Sequence, residues 1–134
     1  MTATLAAHAK GHQFPPLQLD LSDQWIRSYV EAVEDTTIEA RPGSVPPMAL
    51  AALAIGALLK SAGLPEGAVH VAQELSFARS VRPGEALTAT ARVLSRGERQ
   101  GWVLMGVDLT VTDDSGISVM DGRATLTFPA EVEA

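Results

Sequence analysis

At 134 residues the chain has the length of one domain, and it is nearly half apolar, enough to bury a core. A net charge of -6 argues against nucleic acid or an anionic membrane as partner, and the lack of cysteine excludes disulfides and thiolate chemistry. The N-terminus has neither the basic start nor the long apolar run of a signal peptide, so a cytoplasmic protein is expected.

Residues 1–13 are small and polar and read as a flexible tail before a single domain over residues 14–134. His8 and His12 have the spacing of a metal pair on one helical face, but Gly11 and the terminal position favour a frayed segment, and no metal site is expected. Phe14 to Leu21 alternates after its prolines, as a short edge strand does. Ser22 then caps a helix that runs to about Glu34, with Trp25, Ile26, Tyr29, Val30 and Val33 on its packed stripe.

A polar connection leads to the stretch that organises the chain, Pro47 to Ala62. It opens on a double proline, closes at Lys60 and Gly63, and is built of Leu, Met and Ala. A helix apolar on every side must be enclosed, and at this length it is too short to span a membrane. Its alanines imply a sheet that approaches closely.

The remainder supplies that sheet. Val69 to Arg79 alternates, with Val69, Val71, Gln73, Leu75 and Phe77 expected inward and His70, Ala72, Glu74, Ser76 and Ala78 outward. Arg82-Pro83-Gly84-Glu85 has the residues of a type II turn. Leu87, Ala89, Ala91 and Val93 continue inward on the next strand, and a polar connection over Arg96–Gly101 follows. Val103, Met105, Val107, Leu109 and Val111 face inward on the third strand. Asp113–Gly116 is a hairpin turn, and Ile117 to Phe128 forms the last strand, with a bulge expected at Gly122. The class is α+β: an antiparallel sheet wrapped around a long central apolar helix, the hotdog fold.

That order, with Val45-Pro-Pro-Met48 entering the helix and Arg79-Ser-Val-Arg-Pro-Gly-Glu-Ala-Leu87 closing a long strand, resembles the MaoC-like hotdog hydratases and dehydratases, in particular their degenerate or N-terminal-half forms. The resemblance implies an acyl thioester ligand, carried on coenzyme A or acyl carrier protein, in a tunnel between helix and sheet. It also implies a homodimer, or a heterodimer with another hotdog subunit. No cofactor is implied beyond the coenzyme A or phosphopantetheine of the substrate. Catalytic members use an Asp and a His separated by four residues just before the central helix, with a backbone N–H at the helix start polarising the carbonyl.

This sequence departs from that pattern. Asp35 stands at the Asp position, but the residue that should be His is Ala40. The dyad does not carry over, whereas Pro47, Met48 and Ala49 retain the helix entry that can hold a thioester carbonyl. Two readings of the remaining polar residues stay open. His70 and Glu74, on one strand face, form an acid/base couple that joins Asp35 in a rearranged site, or they cover the outside of the sheet. Gln73, inward, holds a ligand or a backbone group. Arg79 and Arg82, with Arg96 and Arg99, meet the phosphates of the carrier or are solvated turn residues. Trp102 and Met105 read as packing. A hotdog thioesterase needs an acid on or beside the central helix, and residues 47–62 contain none.

Three functions follow from different classes. The first, favoured because the helix is kept while the dyad segment is lost, is a non-catalytic subunit that pairs with an active partner. The second is a hydratase, dehydratase or thioesterase with a rearranged site. The third is a stand-alone acyl-ligand binding module.

Overall fold

The computed structural model describes residues 4–33 and 45–130. A short 3-10 turn at Leu5–Ala7 precedes β1 (Leu17–Leu19), α1 (Asp23–Val33) and α2 (Pro47–Ala62). Four long strands follow: β2 (Val69–Phe77), β3 (Leu87–Arg99), β4 (Trp102–Thr112) and β5 (Ser118–Pro129). The strands make one antiparallel sheet in the order β1-β3-β4-β5-β2, so β1 and β2 are its edges.

Alternation sets the inner face of this sheet. Ala89, Ala91 and Val93 of β3, five residues of β4 from Val103 to Val111, and Ala124, Leu126 and Phe128 of β5 are all buried. Against them lie Ala49, Leu50, Ala51, Ala54, Leu58 and Ala62 of α2, in the same core. Alanines 49, 51 and 54 are fully buried, as close approach of helix and sheet requires. The enclosure is one-sided, however. Met48, Ala52 and Gly56, four apart, form an exposed stripe along α2, so within one chain the sheet covers one side of the helix rather than swaddling it. The α1 helix starts as its cap predicts, with the Ser22 hydroxyl accepting from the Trp25 N–H at 3.1 Å, and Ile26 is buried in the core.

The N-terminal segment corrects the sequence reading. Residues 4–13 are not a loose tail: Leu5 is fully buried and its N–H donates to Gly63 O, at the end of α2, at 2.9 Å. The Gly11 N–H donates to Val93 O at 2.8 Å, and the Val93 N–H donates to His12 O at 2.9 Å, extending the sheet past β1. His8 and His12 do not share a helical face. Their rings stack at 3.8 Å between centroids and both meet the Phe14 ring edge-on.

Phase changes in the strands also fall elsewhere than expected. Gly122 is in regular register between Leu109 and Leu75, and the shift in β5 lies between Ser118 and Met120. Gly122 is instead a close-approach position, where a Cβ would come within 3.1 Å of Glu74 O and of Leu75 Cδ2. A second shift skips Val71 in β2, and a third skips Leu94 in β3. The polar connection expected over Arg96–Gly101 is mostly strand, and the hairpin turns on Gln100 and Gly101 alone, both with positive φ. At Arg82–Glu85 the type II turn is present: Gly84 has φ 79°, and the Glu85 N–H donates to Arg82 O.

Candidate functional site

Because α2 and β2 run in opposite directions, the end of β2 reaches the start of α2. Phe77, Ala78, Arg79, Ser80 and Val81 meet Val45, Pro47 and Leu50 there, around a pocket of about 230 Å³. The Val45 N–H donates to Val81 O at 3.1 Å and fixes the chain just before the helix. Pro46 and Pro47 carry no N–H, and the Ala49 N–H is turned onto Pro46 O at 2.9 Å. The Met48 N–H is therefore the first amide donor of α2, at the end where the helix dipole is positive and favours developing negative charge. A larger concavity of about 510 Å³ lies on the outer face between the N-terminal segment and β3–β4, away from the helix.

Of the residues singled out by sequence, Pro47 and Arg79 line the pocket. Met48 begins the exposed stripe of α2, and Ala49 is fully buried below it. Arg79 has its charge engaged: its guanidinium pairs with Glu85 and, at 3.1 Å, with Asp113. Glu85 also accepts from the Arg82 N–H at 3.0 Å, so the group clamps two turns together. The Arg79 guanidinium, with help from that N–H, holds the Glu85 carboxyl below its ordinary pKa. The N–H of Ile117, Arg79 and the N–H of Ser115 do the same for Asp113. Arg82 is exposed on the adjoining turn. Asp35 and Ala40 lie outside the described residues.

His70 and Glu74 do not share a face. Skipping Val71 shifts the phase of β2, so His70 pairs with Leu126 on the inner face and Glu74 pairs with Arg123 on the outer one. The same shift turns Val69 outward, opposite Thr127, while Gln73, Leu75 and Phe77 remain inward. His70 is also at the far end of its strand, seven residues or about 23 Å from Phe77 and the pocket. The proposed couple is not assembled within this chain. Gln73 uses its amide N–H groups on backbone, donating to Arg123 O at 3.0 Å and Glu74 O at 3.1 Å, while its Oε1 is buried without a partner. Met105 is buried as expected, but Trp102 is half-exposed on the outer face.

The sequence reading missed Val45, Leu50, Phe77 and Val81 as lining residues. The signal was available: a strand that follows a helix and runs back along it must end beside the helix's first turn. Among the described residues, no helix is long and apolar enough to cross a membrane.

Comparison with known proteins agrees with this fold. Among solved structures, a MaoC-like dehydratase from Rhodospirillum rubrum superposes with a TM-score of 0.78 at 17% identity, over 97% of this chain and 99% of that one. The (R)-hydratase from A. caviae involved in PHA biosynthesis gives 0.75 at 20% identity, over 92% and 98%. The HadBC (3R-hydroxyacyl-ACP dehydratase) complex from Mycobacterium tuberculosis gives 0.73 at 23% identity, over 92% and 100%. No curated protein sequence matches significantly. The family described as "FAS1-like, dehydratase domain region" matches residues 8–122. The chain thus has the MaoC-like hotdog fold and belongs to the family of FAS1-like dehydratase domain regions.

Proposed function

We propose that this chain is a non-catalytic hotdog subunit that binds an acyl thioester and completes the site of a second hotdog subunit carrying the Asp/His pair. One observation carries this reading. Among the described residues, the pocket at the first turn of α2 has an apolar wall and a helix-start amide, and no carboxylate or imidazole lines it. Such a site can hold an acyl chain against Leu50, Phe77 and Val81 and orient the thioester carbonyl towards the Met48 N–H. The described residues of that pocket offer no group to move the proton across the adjacent bond. Arg82 is the cation placed for the phosphates of coenzyme A or phosphopantetheine, since Arg79 is held by Glu85 and Asp113. The likeness to the HadBC complex supports a hotdog partner.

The reading is tested by purifying the chain alone and together with a hotdog subunit encoded beside it, then assaying hydration of crotonyl- and longer enoyl-coenzyme A. Hydration is expected from the pair and not from the chain alone. A lone homodimer that hydrates these substrates overturns the proposal. A thermal shift with acyl-coenzyme A, larger than with free coenzyme A, is expected for the lone chain if it contributes to the pocket.

A further inference from the structure

The outer face of the sheet, opposite α2, carries a pattern the acyl site does not use. Cross-strand partners share a face, so each register position defines a row of neighbouring side chains. One outer row reads Arg92, Asp108, Arg123, Glu74 across β3, β4, β5 and β2. Asp108 reaches both of its neighbours, Arg123 at 3.4 Å and Arg92 at 3.8 Å. The four charges alternate in sign across the sheet. Two rows near the Gln100–Gly101 turn carry exposed apolar side chains: Leu104 and Val69 flank Thr127, and Trp102 stands between Arg99 and Pro129. Trp102, Leu104 and Val69 are all at least half exposed.

We propose that this face is an interface for a second copy of the chain, packed sheet against sheet. The two-fold axis lies between β4 and β5 and runs along the strands. It reverses each row onto itself, and the alternating row is self-complementary under that reversal. Arg92 meets Glu74 of the second copy, and Asp108 meets its Arg123. The polar row behind it places Thr110 opposite the second copy's Asp121, and Thr90 opposite its Ser76. In the two rows near the Gln100–Gly101 turn, Leu104 meets Thr127, and Trp102 meets Pro129. No like charges oppose one another in these rows. Four strands at ~4.8 Å spacing and the eleven residues of β4 give about 700 Å² a side, within the range of stable interfaces. The face is distinct from the open edge of the sheet at β2.

The test is a charge exchange between residues that never touch in one chain. Arg92 and Glu74 are three strand spacings apart, about 14 Å. Arg92→Glu alone and Glu74→Arg alone each bring like charges together across the interface, and each is expected to weaken association roughly tenfold or more by sedimentation equilibrium. The double variant restores opposite charges and is expected to recover most of that loss, although it repairs no contact within the chain. Circular dichroism confirms that each variant is folded. With Trp25→Phe as background, Trp102 becomes the reporter, and its emission is expected to shift to the blue as protein concentration rises. A mass unaffected by either single change, a double variant no better than the singles, or a Trp102 emission that ignores association overturns the proposal.

Discussion

The two ends of α2 are built from different chemistry. At its N-terminal end lie an apolar pocket, a pair of prolines and an arginine already committed to two carboxylates. Around the C-terminal end are the chain's histidines: His8 and His12 stacked on the docked N-terminal segment, and His70 on the inner face at the start of β2. Arg96 shares that region, on the same inner row as His70 and with its guanidinium 6.0 Å from the centre of the Phe128 ring. Dehydration needs an imidazole where the helix dipole stabilises the thioester carbonyl, at the N-terminal end. Here imidazole and positive dipole are separated by the length of the helix, about 24 Å.

The largest effects sharpen this contrast directly. Leu50 and Leu58 sit two turns apart on the buried side of α2, at 1% and 3% exposure. Truncating either to Ala is expected to cost about 2–5 kcal/mol in urea unfolding, the usual range for a fully buried leucine. Leu50 also lines the pocket, and Leu58 does not. Acyl-coenzyme A binding is therefore expected to change chain-length preference in Leu50→Ala and to stay as it was in Leu58→Ala, measured by calorimetry on the folded fraction. Equal effects on binding would show that the ligand runs along the whole helix and would erase the distinction between its ends.

A smaller effect is expected at the strand that connects the two ends. In Gly122→Ala the added methyl meets the Glu74 carbonyl, a backbone atom that cannot rotate away, as well as Leu75 Cδ2. The strain is expected to cost about 1–3 kcal/mol. It should appear as faster amide exchange in β2 than in β3 or β4, since β2 is the edge strand that must move. Uniform exchange across the sheet would show that β2 is not an independent link between the two ends.

These positions also show what was legible in the sequence. The helix from Pro47 to Ala62 and the inward faces of β3 and β4 were readable, because burial repeats with the period of the element. The fate of His70 was not. Val69-His70-Val71 alternates, and nothing in those residues marks Val71 as the one the ladder skips; the phase is set by pairing with β5. The docked N-terminus was hidden differently. Leu5 and Ala6 are buried by tertiary contact with the end of α2, a contact without local periodicity. Met48, Ala52 and Gly56 show the converse: apolar composition on every side of α2 did not guarantee cover within one chain.

The smallest effect, and the one that separates the two ends most cleanly, is pH. Burial first, and then the charge of His12, hold the His8 pKa below its ordinary 6.5. The undocked segment therefore takes up a proton as pH falls through 6.5 while the docked segment resists it, so docking is at full strength above 6.5 and weakens below. At the other end the sign is set by carboxylates. Glu85 and Asp113 have lowered pKa values, so the clamp they make with Arg79 is fully present above their ordinary 4.5 and 3.8 and is lost only as pH falls below those values. Between about pH 7.5 and 5.5, hydrogen exchange is expected to accelerate in residues 5–14 and remain unchanged in residues 79–85 and 113–117, after correction for the intrinsic pH dependence of exchange. In His8→Gln, which cannot take up the proton, the acceleration should largely disappear. Its persistence would place the pH dependence outside the stacked pair, and a parallel loss at residues 79–85 would show that the two ends open together.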